Sequence, residues 1–311
     1  MQAEEIVSIK RKNGKGRTMK KKWRLYMMML PAIIFFAIFN YYPMYGVIIA
    51  FKDYSASLGI WGSEWVGFEH FSRFFNAFYF WDLIRNTLLI SAYELVMFPA
   101  PIIAALAINE IRNNKLKKFT QTVTYAPHFI SVVVMVGMIV AFLSPSTGII
   151  NAFLGLFGIE PIAFLAEPGW FKTIFVQSNV WQSFGFGAII YLAALAGVDP
   201  QLHEAATVDG ASRIQRILYI NIPSILPVIV ILLILNFGNI MTVSFEKIYL
   251  MQNSLNLKSS DVIQTFVYRT GLLEGQYSFS AAVGLFNSII SLILIFTVNN
   301  FARKTTDHSI W

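Results

Sequence analysis

Residues 25–51 read LYMMMLPAIIFFAIFNYYPMYGVIIAF, a run of 27 positions without a charged side chain. A helix needs about 20 consecutive apolar residues to cross the hydrocarbon core of a bilayer. A helix also keeps its backbone hydrogen bonds inside one segment, as lipid requires. This run therefore predicts a membrane-spanning helix. Five further apolar runs follow along the chain, at residues 83–108, 122–143, 173–197, 224–245 and 279–301.

The composition agrees with an all-α integral membrane protein of six transmembrane helices. Hydrophobic residues make up 56% of the chain and charged residues 13%, whereas soluble domains have about 45–50% and about 25%. Cysteine is absent and the four histidines are scattered, so we expect no disulfide, no metal site and no catalytic residue. We expect prolines within the spans, such as Pro99 and Pro127, to kink the helices rather than break them.

Lysine and arginine positions predict the orientation of the six spans. Seventeen of these residues fall before the first span or after the second, fourth and sixth spans. The other seven fall on the opposite side of the membrane. Positive loops stay in the cytoplasm, so we expect both termini to be cytoplasmic in a multi-pass protein of the cell membrane. The basic N-terminal stretch abuts a hydrophobic span, so we interpret it as a topology signal that touches anionic lipid rather than nucleic acid.

These boundaries divide the chain into four segments. We predict a basic cytoplasmic tail at 1–24, a first transmembrane helix with its external loop at 25–82, a transmembrane domain of five helices at 83–303, and a cytoplasmic tail at 304–311. The external loops are rich in aromatic residues, which suit either an interfacial belt or a docking surface for an external protein.

The loop between the fourth and fifth spans, residues 199–223, reads DPQLHEAATVDGASRIQRILYINIP. Asp199 is a good helix N-cap, and Pro200 fits the first helical position. The helix should stop at Asp209 and Gly210, because glycine adopts the left-handed conformation that ends a helix. A second helical piece should run from Ala211 to about Ile220. We call residues 199–223 the elbow, since it is expected to project into the cytoplasm.

The elbow resembles the E-A-A-x-x-x-G-x9-I-x-L-P signature of permeases from binding-protein-dependent ABC importers. Ile222 replaces the leucine that is usual in that signature, and this preserves an apolar side chain. Segments such as 40–46, 126–131, 190–197 and 245–249 resemble the branch of that family for complex or oligomeric sugars. The matching positions of the elbow are Glu204, Ala205, Ala206, Gly210, Ile220 and Pro223, with Asp209 and Ala211 extending the match toward carbohydrate permeases.

The resemblance implies a type I ABC importer permease fold in which the elbow holds a coupling helix. The implied partners are a second, related permease subunit, a cytoplasmic dimer of ABC ATPase subunits and an extracellular solute-binding protein. The chain has no G-x-x-x-x-G-K-[ST] motif, so we expect no ATPase site of its own, with ATP and Mg²⁺ bound by the partner ATPase. Coupling is then carried by Glu204, Ala205, Ala206, Asp209, Gly210 and Ala211.

Polar and aromatic side chains within the spans are the candidates for the solute path. Amide hydrogen bonds and aromatic stacking suit a sugar, although such residues also join helices to one another. Glu94 is an acid near mid-membrane, which indicates either a functional carboxylate or a structural partner. The remaining candidates are Trp181, Gln182, Tyr191, Asn236 and Asn239 for the path, and Glu246 and Lys247 for contact with the binding protein.

The sequence disfavours two other classes of membrane protein. An ion-coupled secondary transporter needs buried charges for a relay, and beyond Glu94 the spans have almost none; no inverted repeat is visible. A membrane enzyme needs clustered acids, histidines or a nucleophile, which the sequence does not show. Within the family, the chain could equally belong to an importer of peptides, amino acids or polyol phosphates, because the elbow gives no information about the solute.

Overall fold

The computed structural model describes residues 23–306 and is almost entirely helical there. The predicted tails at 1–24 and 304–311 therefore lie largely outside the described residues. The α-helices are α1 Trp23–Phe36, α2 Tyr42–Met44, α3 Gly59–Gly62, α4 Glu69–Phe75, α5 Phe80–Val96, α6 Pro99–Asn109, α7 Asn114–Tyr125, α8 Val132–Leu143, α9 Ile149–Gly155, α10 Pro168–Leu195, α11 Pro200–Val208, α12 Arg213–Arg216, α13 Ile222–Gly238, α14 Phe245–Met251, α15 Leu257–Ser260, α16 Ile263–Tyr268 and α17 Tyr277–Thr306.

Short irregular elements connect several of these helices. Two residue pairs, Lys52–Asp53 and Glu64–Trp65, form the antiparallel strands β1 and β2. Single turns of π-helix occupy Ala37–Tyr41, Ile217–Asn221 and Arg269–Leu273, and 3₁₀ turns occupy Tyr45–Phe51 and Ala126–Phe129. Where such turns join two α-helices without a break, the chain continues as one longer helix.

Four continuous helices of the described chain are long and apolar enough to cross a bilayer. They are Leu25–Phe51, Phe80–Asn109, Arg213–Gly238 and Tyr277–Lys304. Two bent pairs raise the number to six if each pair is one span: α7 to Phe129 with α8, and α10 with α11. The first, second, fifth and sixth predicted spans therefore correspond to continuous helices, and the third and fourth to the bent pairs.

The third predicted span, 122–143, is not a single kinked helix. The chain turns by 97° between Phe129 and Val132, and α8 restarts there with the Ser131 hydroxyl accepting a hydrogen bond from the Val134 amide. Pro127 is buried in the turn. The expectation that this proline only kinks the helix is wrong, because the 3₁₀ turn and the new N-cap at Ser131 end one helix and begin another.

The core lies around α10, which packs extensively against α6 and also against α5, α7 and α13. One buried cluster joins α10 to α8 and α14 through Phe171, Phe175 and Ile248. A second joins it to α6 and α13 through Ala188 and Ile225. The first helix is different, because every described side chain from Leu25 to Tyr45 is exposed and packing begins only near its end.

Candidate functional site

The elbow forms two short helices that turn sharply away from α10. The bend between α10 and α11 is 79°. The Asp199 carboxylate accepts a hydrogen bond of 2.9 Å from the Gln201 amide and so caps α11 as predicted. Pro200 occupies the first turn, where its missing N–H costs nothing.

The end of α11 is fixed by backbone geometry. Gly210 has φ of +78°, and the amide of Ala211 donates to the carbonyl of Ala206 at 2.8 Å while that of Gly210 donates to Thr207 at 3.2 Å. This pair of bonds is a Schellman motif, which requires a left-handed residue at the glycine position. The predicted stop of the helix at Asp209 and Gly210 is confirmed.

The second arm of the elbow starts at Arg213, two residues later than predicted. Ser212 and Gln215 form a capping box, in which the Gln215 side chain accepts from the Ser212 amide at 2.7 Å. The Arg216 guanidinium donates to the Thr207 hydroxyl at 2.8 Å and so ties the two arms together. The elbow is therefore a braced unit rather than a flexible loop.

The coupling candidates lie on an uncovered surface. No residue of α11 is buried, and Glu204, Ala205, Asp209 and Gly210 are exposed, with Ala206 and Ala211 partly so. Three apolar side chains of the elbow are also solvent-facing, with Val208 88% exposed, Ile214 70% and Leu202 51%. A small helix that presents apolar and small residues in this way suits a protein contact.

A cavity of about 830 Å³ opens between α5, α6, α10 and α13 and the turn that precedes α8. Polar groups on its wall are outnumbered by apolar side chains, which is usual for sites that bind small molecules. Its polar and aromatic lining is Glu94, Phe98, His128, Phe129, Ser131, Asn179, Gln182, Ser183, Phe184, Tyr191, Asn236 and Ser244.

A chain of hydrogen bonds leads from the wall of this cavity to a buried lysine. The Asn179 amide nitrogen donates to Glu94 Oε1 at 2.8 Å, and Lys247 Nζ donates to Asn179 Oδ1 at 2.7 Å. Lys247 is only 2% exposed, and its ammonium lies 5.9 Å from the centre of the Phe175 ring. One amide therefore links a buried cation to the carboxylate that faces the cavity. We call Glu94, Asn179 and Lys247 the polar triad.

The broken third span supplies another part of the wall. The Gln182 side chain donates to the free carbonyl of Ile130 at 2.9 Å, at the point where helical bonding is interrupted. The His128 and Phe186 rings stack with their centres 3.9 Å apart and 3° between their planes. The break thus places a flat aromatic pair and a carbonyl beside the cavity.

Four of the six predicted path residues line the cavity, namely Glu94, Gln182, Tyr191 and Asn236. Trp181 and Asn239 do not, because Trp181 projects from another face of α10 and Asn239 caps the end of α13. The residues that the sequence prediction missed are His128, Ser131, Asn179, Ser183 and Ser244. Helical spacing carried a signal for two of them, since 179, 182 and 183 share one face of α10.

Lys247 and Glu246 face in opposite directions. The burial of Lys247 contradicts its predicted contact with an external protein, because its side chain enters the helix bundle and bonds to Asn179. Glu246 is exposed, and its contact with a binding protein stays a prediction. The error arose because a lysine in an external loop normally stays in water.

Residues 97–307 match the family described as "Binding-protein-dependent transport system inner membrane component". The chain belongs to this family. The match includes the elbow and every residue of the cavity lining named above except Glu94.

The permease is also similar to individual proteins along most of its length. It is 45% identical to Protein LplB of Bacillus subtilis, covering 92% of the chain and 90% of the relative. It is 43% identical to the polygalacturonan/rhamnogalacturonan transport system permease protein YteP of the same organism, covering 97% and 94%. A solved bacterial alginate ABC transporter, in complex with an alginate pentasaccharide-bound periplasmic protein, contains a chain 41% identical to the permease, with a TM-score of 0.88 and coverage of 96% and 100%.

Proposed function

We propose that this permease is one of two related membrane subunits of an ATP-driven importer for oligosaccharides, and that it provides half of the solute path. Membership of the binding-protein-dependent family supports the transporter class. The similarity to YteP, a permease named for polygalacturonan/rhamnogalacturonan transport, and to an alginate ABC transporter supports a sugar polymer fragment as solute. The observation that carries the proposal is the braced, uncovered elbow.

The elbow is suited to receive movement from a separate ATPase subunit. Its caps, its Schellman turn and the bond between Arg216 and Thr207 hold both arms as one body. Helix α10 ends at the elbow and α13 begins there, and both helices line the cavity. A force on α11 therefore reaches both of them. In the proposal Glu204, Ala205, Ala206, Asp209, Gly210 and Ala211 contact the ATPase dimer, which binds ATP and Mg²⁺.

The orientation follows from the positive charges. We infer that the elbow and both termini lie in the cytoplasm, since 17 lysine and arginine residues fall on that side and seven on the other. The external loops then face the solute-binding protein, with Glu246 as a candidate contact. Six crossings follow if each bent pair crosses the membrane once.

The cavity has the chemistry of a sugar site. Carboxylate and amide groups of Glu94, Gln182 and Asn236 can bond sugar hydroxyls, and the stacked His128 ring offers an apolar face to a pyranose. Closure of the ATPase dimer draws the elbows of the two permeases together and opens this cavity outward. The loaded binding protein favours the same state, so import is a shift between two packed arrangements.

A bulky residue at position 210 tests the role of the elbow. A Cβ at Gly210 meets no atom within 4 Å, so the side chain of Gly210→Trp begins in open space at the proposed ATPase contact. The left-handed backbone adds strain of about 1–2 kcal/mol. We expect membrane insertion to persist and ATP-dependent uptake to be lost.

Gly158→Trp is the matched control for that experiment. Gly158 has φ of +74° and equally open surroundings, but it lies in the loop before α10, on the proposed external side. It therefore carries the same backbone strain away from the ATPase. Normal uptake by Gly210→Trp, or equal losses in both variants, would falsify the coupling role.

A further inference from the structure

Helix α7 turns its apolar side away from the protein. Leu116, Phe119 and Val123 are 53%, 66% and 53% exposed, and their spacing of three and four positions places them on one face of the helix. Thr120, Gln121 and Thr124 are less exposed and face the bundle. This polarity is the reverse of that of a helix packed on a soluble core, so the apolar face needs an apolar neighbour outside the chain.

The same segment carries unneutralised positive charge. Arg112, Lys115, Lys117 and Lys118 surround the start of α7, and no carboxylate of the described residues lies within salt-bridge distance of them. The sequence has no acidic residue from Ile111 to Ile159. The nearest acid along the chain is Glu110, at the end of α6. Its single negative charge does not neutralise the four positive charges, so the segment is net positive.

The 97° bend sets α7 across the axis of α8. If α8 follows the membrane normal, α7 lies along the surface of the bilayer. An amphipathic helix in that position buries its apolar face at the boundary between headgroups and acyl chains and holds lysines at the headgroups. The cytoplasmic leaflet, which the proposed topology assigns to this segment, is the leaflet rich in anionic lipid.

We propose that α7 is a binding surface for anionic phospholipid, with Leu116, Phe119 and Val123 in the acyl region and Lys115 and Lys118 on the headgroups. The proposal rests on the orientation given under the proposed function. Its partner is a lipid rather than a protein because uncompensated cations and an exposed apolar stripe occur together along one helix of the chain.

Lipid held at α7 acts on the cavity through two contacts. A Cβ at Gly185 of α10 would lie 2.1 Å from the Thr124 carbonyl oxygen, so α7 and α10 touch backbone to backbone. The next turn carries His128 and leads to the Ile130 carbonyl that accepts from Gln182. Anchoring α7 therefore holds the broken third span in the shape that forms the cavity wall, and anionic lipid should raise the rate of uptake.

The absence of cysteine allows a clean measurement. Val123→Cys gives a single site for an environment-sensitive fluorophore in the full chain. The labelled protein is placed in nanodiscs of phosphatidylcholine with increasing fractions of phosphatidylglycerol. We expect a blue shift that saturates with phosphatidylglycerol. Lys115→Gln with Lys118→Gln should weaken the apparent lipid affinity roughly 30-fold, because each lysine near an anionic surface contributes about a factor of five.

Arg303→Gln with Lys304→Gln is the matched control, since it removes two exposed cations from the proposed cytoplasmic side at the end of α17. It should leave the lipid titration unchanged. Equal spectra in both lipids, an equal loss in the control, or shielding of the label only on addition of a partner subunit would each overturn the proposal. The titration needs neither ATP nor a binding protein, so its result is independent of whether the chain imports sugar.

Discussion

Replacing Lys247 tests whether the polar triad acts as one unit. Lys247→Met keeps a flexible apolar stem beside the Phe175 ring but removes the donor to Asn179. A hydrogen bond to a charged group contributes about 1.5–3 kcal/mol. Without the ammonium, the Asn179 amide no longer connects the Glu94 carboxylate to a cation. The expected loss in free energy of unfolding is about 2 kcal/mol, since methionine regains part of the packing.

The double variant supplies the decisive comparison. Glu94→Gln keeps an acceptor for the Asn179 amide but removes the negative charge, and it should cost about 1 kcal/mol, the difference between a charged and a neutral hydrogen bond. Once the cation is gone, a neutral residue at position 94 is better than a carboxylate. The double variant should therefore lose about 1–1.5 kcal/mol rather than about 3, a coupling typical of neighbouring groups.

The measurement is a denaturation series on purified protein in micelles, followed by the fluorescence of the seven tryptophans. Lys258→Met is the control, because Lys258 is an exposed lysine on the same segment between α13 and α17, and among the described residues its side chain makes no hydrogen bond to the triad. Strictly additive losses in the double variant, or equal effects of Lys247→Met and Lys258→Met, would refute the idea that the triad is coupled.

Two further substitutions, the first with its own control, probe contacts that lie behind the cavity wall. Gly185→Ala should destabilise the protein by about 1–3 kcal/mol through overpacking against Thr124, whereas Gly137→Ala on α8, where a Cβ meets no atom within 4 Å, should be neutral or slightly stabilising in the same melting experiment. Phe186→Ala removes the ring stacked on His128, a contact of about 0.5–1.5 kcal/mol. It should lower maximal uptake about two- to tenfold in proteoliposomes while the affinity of the binding protein for sugar is unchanged, and unaltered uptake would exclude His128 from the path.

The sequence predicts correctly those features of the fold that depend only on residues close together in the chain. The elbow could be predicted because Asp199, Pro200 and Gly210 act through their own backbone and nearest neighbours. The long apolar runs could be predicted equally well, because the length and apolar content of a run indicate whether it can span a membrane. What local chemistry does not determine was harder. Residues 122–143 contain no Asp, Glu, Lys or Arg, so the run predicts one span and gives no sign of the 97° turn within it.

The cavity shows the same division between local and tertiary information. Gln182 and Asn236 could be proposed because amides are rare within spans. The direction of Lys247 could not, since its burial depends on Asn179 lying 68 positions away in the sequence and on the Phe175 ring. A charged residue next to exposed Glu246 gave no local reason to enter the bundle.

The isolation of the first helix has a consequence for biosynthesis. Side chains from Leu25 to Tyr45 contribute nothing to the buried clusters, and attachment begins at Ala50 and Phe51 against α17. Because α1 precedes α17 in the chain, it can insert as an independent anchor before α17 is synthesised. Its docking is then one of the last events in assembly, so insertion and folding of this chain are separable in time.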